Sequence, residues 1–165
     1  MNGNLKVGTL FGIPFYVNPS WFLILGLVTL SYGQELAQFP QLSGVTPWLL
    51  GFATALLLFA SVLAHELGHS LVALAQGIEV KSITLFLFGG LANLEKESKT
   101  PLEAFGVAIA GPLVSLVLFA LLTVITINIP LPLPGAAIVA LLASINLALG
   151  PVSYTHLRAH ETKAN

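Results

Sequence analysis

The stretch PWLLGFATALLLFASVLAHELGHSLVALAQ, residues 47–76, constrains this chain more than any other. It is an almost unbroken apolar run. At about 1.5 Å per residue it is long enough to cross a hydrocarbon core of about 30 Å. No water reaches that depth to satisfy backbone groups, so the run has to be helical. Yet its C-terminal half carries His65, Glu66 and His69, side chains that are costly to bury in lipid. Any fold for this chain must set the helix in the membrane and turn those three groups toward protein.

Three further runs are apolar: Pro19–Tyr32, Pro101–Ile129 and Gly135–Gly150. The chain is 56% hydrophobic and 8% charged, against about 25% charged in soluble domains. The expected fold class is an all-α membrane protein with four transmembrane segments. The last, at Gly150, reads as truncated. Between the second and third runs, residues 78–95 are rich in Ile, Val, Thr and Phe, with Gly89 and Gly90 in the middle. That pattern predicts two strands and a tight turn. Open strands cannot face lipid, so this membrane-associated β-hairpin should lie at the interface or against protein. Residues 1–16, broken by Gly and Pro, read as an interfacial lead-in, and Trp21 suits the headgroup level. The first run lacks a convincing small-residue cleavage site and reads as a retained helix. Gly77 should end the second helix, and Pro112 should bend the third.

Charge narrows the partners. The net charge is −1, which offers no basic field to nucleic acid. The expected surroundings are the lipid bilayer of a cell membrane, crossed several times; a homo-oligomer stays open. Lys6 precedes the first run, and Lys81, Lys96 and Lys99 lie between the second and third. By the positive-inside rule, the N-terminus and the hairpin loop are expected to be cytoplasmic. His65 and His69 then lie roughly 10–18 Å along their helix from its cytoplasmic end.

Residues four apart on a helix share a face, so His65 and His69 can turn their imidazoles to one metal ion. HELGH is the zinc-hydrolase spacing: two histidine ligands with Glu66 as general base. Zinc lowers the pKa of a bound water to about 7. The plainer reading is a set of buried polar groups bonding neighbouring helices. Against it stands the expense of placing all three within one turn of an apolar span. A catalytic zinc takes a third protein ligand. The chain has no cysteine, and all seven of its acids are glutamates. Those before residue 150, apart from Glu66, fall in loops or at span edges. The fourth run supplies Asn146, a poor zinc ligand but a hydrogen-bond donor. Two other function classes compete: a membrane metal transporter or metal sensor, and a non-catalytic binder of membrane helices. The transporter reading requires polar residues along several helices, and here one helix supplies the ligands.

The stretches GTLFGIPFYVNPSWFLIL, LFASVLAHELGHSLVAL, GIEVKSITLFLFGGLANLEKE, AFGVAIAGPLVSLVLFALL and LLASINLALG cover nearly all of residues 5–150. Together they resemble the site-2 protease family of intramembrane zinc metalloproteases, in particular the prokaryotic branch that often carries CBS domains. Asn18 departs from that branch, which commonly shows His before Pro-Ser-Trp. The resemblance implies Zn2+ as cofactor, His65 and His69 as its ligands, Glu66 as catalytic base and a membrane-spanning protein as substrate. It makes the segment around Gly89 and Gly90 a hairpin that holds unwound substrate as an added strand. It makes Gly106, Ala110, Gly111 and Ser115 a close-packing face toward the second helix.

The family's third motif, Phe-Asn-Leu-Leu-Pro followed by Pro-Leu-Asp-Gly-Gly, should place an Asn near position 153 and a zinc-binding Asp near 161. This chain has Ser153 and Glu161 there. VSYTHLRAHET instead matches an in-frame translation of the adaptor used in transposase-based sequencing libraries. Residues 1–150 are therefore expected to be a C-terminally truncated metalloprotease core, and 151–165 a non-native tail. His156 and His160 repeat the spacing of His65 and His69 without a glutamate after the first histidine. The fragment as it stands is expected to be inactive.

Overall fold

A computed structural model of the chain describes residues 3–86, 89–95 and 98–161, the last eleven of these by their helical backbone alone. In chain order it has strands β1 (Leu5–Leu10) and β2 (Ile13–Val17), helices α1 (Ser20–Leu36) and α2 (Thr46–Ala75), strands β3 (Val80–Phe86) and β4 (Gly89–Leu94), and helices α3 (Pro101–Asn128) and α4 (Leu133–Glu161).

Among the described residues, three helices are long and apolar enough to cross a membrane: α2, α3 and the Leu133–Gly150 part of α4. The protein is thus a multi-pass membrane protein. With 17 residues, α1 is about 25 Å long, a little short of the hydrocarbon core. The apolar part of α4 ends at Gly150 as the residue pattern indicates, but the helical backbone runs on to Glu161. Extending an existing helix needs no new nucleation, and Ala, Leu, Arg and Glu beyond Gly150 favour it. The side chains of Ser153, His156, His160 and Glu161, which bear on the reading of the tail, lie outside the described residues. In α3, Pro112 sits inside the helix without ending it. Its start is well specified: Thr100 Oγ1 accepts the Glu103 amide, and Glu103 Oε2 accepts the Lys99 amide.

The predicted hairpin is present as β3 and β4, paired antiparallel from Phe86–Gly89 down to Val80–Leu94. It is half of a larger sheet. Residues 5–17, expected as an irregular lead-in, form a second hairpin, and the sheet order is β1-β2-β3-β4. The turn that makes it is Phe11-Gly12, both with positive φ (51° and 81°). Two such residues are what a tight two-residue hairpin requires. Phe-Gly between short β-prone runs was the available signal. β2 and β3 pair in parallel, from Phe15–Ile83 to Val17–Leu85. A parallel pair needs a long crossover, and α1 and α2 supply it.

The sheet lays one face on α2. Ile13, Val80 and Ile83 are buried there against Ala73 and Ile78, with Leu63 and Leu67 alongside. Val80 and Ile83 are three apart, which in a regular strand would put them on opposite faces. The ladder is irregular between Val80 and Ser82, and this shift brings both inward. A second cluster joins Val17, Val62 and Leu85 to Trp21, Leu58 and Leu149. Trp21 thus packs inward, 4.6 Å from Phe59 between ring centroids, with its indole N–H buried. Asn18, the departure from the family pattern, ties the N-terminal region together. Its Oδ1 accepts the Ser20 amide at the start of α1, and its Nδ2 donates to Asn4 Oδ1.

Candidate metal centre

HELGH lies in the C-terminal half of α2, where β4 and α3 cover it. Helical spacing puts His65 and His69 on one face, and α3 holds each ring by its Nδ1. His69 Nδ1 is 2.7 Å from the Val107 carbonyl oxygen, and His65 Nδ1 is 2.8 Å from Ser115 Oγ. A carbonyl only accepts, so His69 Nδ1 donates; in the neutral ring its Nε2 then carries the lone pair. The Ser115 hydroxyl can take either role toward His65. These anchors turn the two Nε2 atoms toward each other, 3.2 Å apart, with the ring planes 77° apart.

That separation can be tested against the donor set. Zinc–nitrogen bonds of about 2.0–2.1 Å from both rings would meet at an angle of roughly 100°, close to tetrahedral. The two histidines therefore fit a shared zinc ion. Bonding the second ring nitrogen to a carbonyl or hydroxyl is also how metal-ligating histidines are normally held. Among the described residues, no group of three His, Cys, Asp or Glu side chains comes together to complete a metal site.

Close approach of backbone does the rest. A Cβ on Gly111 would run into the His69 ring. A Cβ on Gly68 would lie 2.9 Å from both Ala110 O and Val114 Cγ2. Ala110, Gly111 and Ser115 are buried, so the small-residue face of α3 does meet α2 as its sequence indicates. Sequence reasoning treated Ser115 as packing alone and missed both Nδ1 partners. A hydroxyl on that small-residue face was the signal for one; nothing in a sequence marks the Val107 carbonyl.

Glu66 points to the other flank, under β4. A Cβ on Gly90 would collide with the Glu66 side chain, reaching Cδ at 2.9 Å and Oε1 at 3.2 Å. Gly89 has a φ of 143°, strained for other residues. The predicted site residues thus divide into two groups. His65, Glu66, His69 and Gly90 come together, with Gly89 next along β4. The hydrogen bonds of Asn146 go to Ser61 and Leu142, not to the histidines. Asn146 is wholly buried and donates from Nδ2 to Ser61 Oγ, one turn before His65. An apolar cavity of about 310 Å³ between β1, β2, β3, α1 and α2 has none of His65, Glu66 or His69 in its wall.

A multi-pass membrane fold that presents an HExxH turn to a small-residue helix and a strand defines the class of membrane-embedded metallopeptidases. The sequence comparisons agree: the model of peptidase family M50 matches residues 53–160. The chain belongs to that family, the M50 or site-2 protease family of intramembrane zinc metalloproteases. Two curated relatives are each named "Putative zinc metalloprotease". One, sll0528 of Synechocystis sp., is 80% identical over 149 residues, covering 90% of this chain and 39% of its own length. The other, Rip3 of Mycobacterium tuberculosis, is 40% identical over 159 residues, covering 91% and 39%. The chain therefore spans about two fifths of the length of these relatives. A solved structure titled "Site-2 Protease from Methanocaldococcus jannaschii" superposes with a TM-score of 0.70 at 28% identity, covering 98% of this chain and 73% of that one.

Proposed function

We propose that the full-length protein is an intramembrane zinc endopeptidase that cuts membrane-anchored protein segments near the cytoplasmic face. The observation that carries this is the convergence of His65 and His69 Nε2 at 3.2 Å on a membrane-spanning helix, with Glu66 one residue away. His65 and His69 would hold the zinc ion. When bound, zinc supplies a Lewis acid for the scissile carbonyl and acidifies a coordinated water. Glu66 carries the proton: its carboxylate takes one from the attacking water and gives it to the leaving nitrogen.

β4 stands at the end of the sheet order, so one of its sides is unpaired within the described sheet. A substrate segment unwound from its helix can pair there as an added strand. Gly90 leaves room for the Glu66 side chain, and the space beside Gly89 is open. Asn146 belongs to the supporting shell, behind Ser61. The third zinc ligand comes from the native sequence that follows position 150, in place of a non-native 151–165. This 165-residue chain then binds zinc weakly and cleaves nothing. The N-terminus and the β3–β4 hairpin face the cytoplasm.

The test uses the full-length protein in lipid. Glu66→Gln keeps one zinc per chain and loses cleavage of a membrane-anchored reporter; His65→Ala and His69→Ala lose the zinc. Undiminished cleavage by Glu66→Gln would defeat the assignment of the base. Stoichiometric zinc with ordinary peptidase activity in the 165-residue chain would defeat the reading of its tail.

A further inference from the structure

Asn146 sits in the apolar span of α4 with no exposed surface. Chemistry fixes its orientation. The amide atom 2.8 Å from the Leu142 carbonyl must be the nitrogen, because a carbonyl only accepts. The other amide hydrogen goes to Ser61 Oγ at 3.0 Å. Ser61 in turn donates to Leu57 O at 3.1 Å, so it is the acceptor toward Asn146. Both amide hydrogens are then used. Oδ1 faces away from them, buried, and finds no donor among the described residues.

The energetic balance is unfavourable. A buried unpaired acceptor costs more than an interhelical hydrogen bond at membrane depth returns on average. An apolar side chain of similar size would hold α4 on α2 at least as well. The best-attested use of such a polar group in an apolar helix interface is to specify register at some cost in stability. Ser61 is placed for that role, one turn before His65 on the same face of α2. A slip of one turn would move everything α4 carries by about 5.4 Å relative to HELGH.

We infer that Asn146 is a positioning residue whose amide, seated on Ser61, sets the register of α4 against the helix bearing His65 and His69. Its importance for the metal rests on the proposed function; its test does not. The chain has no cysteine, so a Leu57→Cys and Leu147→Cys pair, at sites 50% and 45% exposed, carries exactly the two spin labels needed. Electron–electron distances are measured in nanodiscs on otherwise unchanged protein, on Asn146→Leu, on Ser61→Ala and on the swap Ser61→Asn with Asn146→Ser. The unchanged pair is expected to give one narrow distance. Asn146→Leu and Ser61→Ala are expected to give a broad or two-peaked distribution, with Tm equal or higher in Asn146→Leu and lower in Ser61→Ala, where a buried amide hydrogen loses its acceptor, and the swap to restore the narrow one. Should Asn146→Leu fail to fold, Ser61→Ala, which removes a single hydroxyl, carries the test. A distribution unchanged in centre and width in Ser61→Ala and in any folded Asn146→Leu would overturn the inference, and so would a lower Tm with unchanged distances. Neither zinc nor proteolysis enters the readout, so this result and that of the proposed function stand or fall separately.

Discussion

Among the elements packed on the helix that bears HELGH, α3 and α4 hold it in different ways. α3 comes up against α2 by backbone: Gly111 lies against the His69 ring, the Val107 carbonyl accepts the His69 Nδ1–H hydrogen bond, and Gly68 packs on Ala110. α4 reaches α2 through a side chain, the Asn146 amide on Ser61. Backbone contact leaves no slack, so α3 determines where each imidazole nitrogen points. A side-chain amide in an apolar seam does something coarser: it selects one alignment among several of similar packing energy. Imidazole orientation and helix alignment thus depend on different neighbours.

The contrast can be broken most directly at Gly111. Gly111→Ala favours the helix by propensity but drives a methyl group into the His69 ring. Zinc affinity, measured by competition with a chromophoric chelator, is expected to fall about 10–100-fold, the range seen when a ligand's support is lost. Unchanged affinity would mean that α3 does not set the ligand geometry. On the strand side, Gly90→Ala in the full-length protein displaces Glu66 and not the histidines. Cleavage should drop by about tenfold or more, mainly in kcat, with zinc content retained. Ser115→Ala removes the partner of His65 Nδ1; a roughly tenfold loss of zinc affinity is expected, with the fold intact by circular dichroism.

Two smaller effects sharpen the comparison from outside the site. A Cβ on Gly51 would meet Thr29 O at 2.7 Å and Gly33 N at 2.8 Å, in the α1–α2 seam. Gly51→Ala should destabilise the protein by about 1–3 kcal/mol, as overpacking does, while zinc affinity per folded molecule stays the same. If zinc binding fell with it, tight glycine contacts anywhere along α2 would matter equally and α3 would not be special. The smallest effect belongs to Asn146→Leu, whose stability should lie within about 1 kcal/mol of the parent, in a denaturation measured in detergent micelles.

Much of this was legible in the chain itself. Long apolar runs allow no structure other than helix in a bilayer, so α2, α3 and the apolar part of α4 stand where the runs indicate. The hairpin at 80–94 was legible from its β-prone run, although Gly89 and Gly90, expected at the turn, lie in β4 opposite Phe86 and Leu85. The hairpin at 5–17 was not. Its turn uses Phe11 at positive φ, and its strands are stabilised by β3, about 70 residues away in the chain, through a parallel pairing that local patterns do not report. At the site, the i, i+4 spacing made His65 and His69 neighbours whatever the rest of the chain did.

The sequence by itself determined that this protein lies in a membrane, that two histidines share a helical face inside it, and that Glu66 stands beside them. Those facts follow from hydropathy and helix periodicity, which act within one segment. Only the tertiary structure decided which nitrogen each histidine presents, which glycines lie against the site, and that the Asn146 amide is buried on Ser61. Each depends on a partner from another element, such as a carbonyl at Val107, a hydroxyl at Ser115 or Ser61, or a strand laid over Glu66. Hydrogen bonds and close contacts act over about 3 Å, and only the folded chain brings residues tens of positions apart to within that distance.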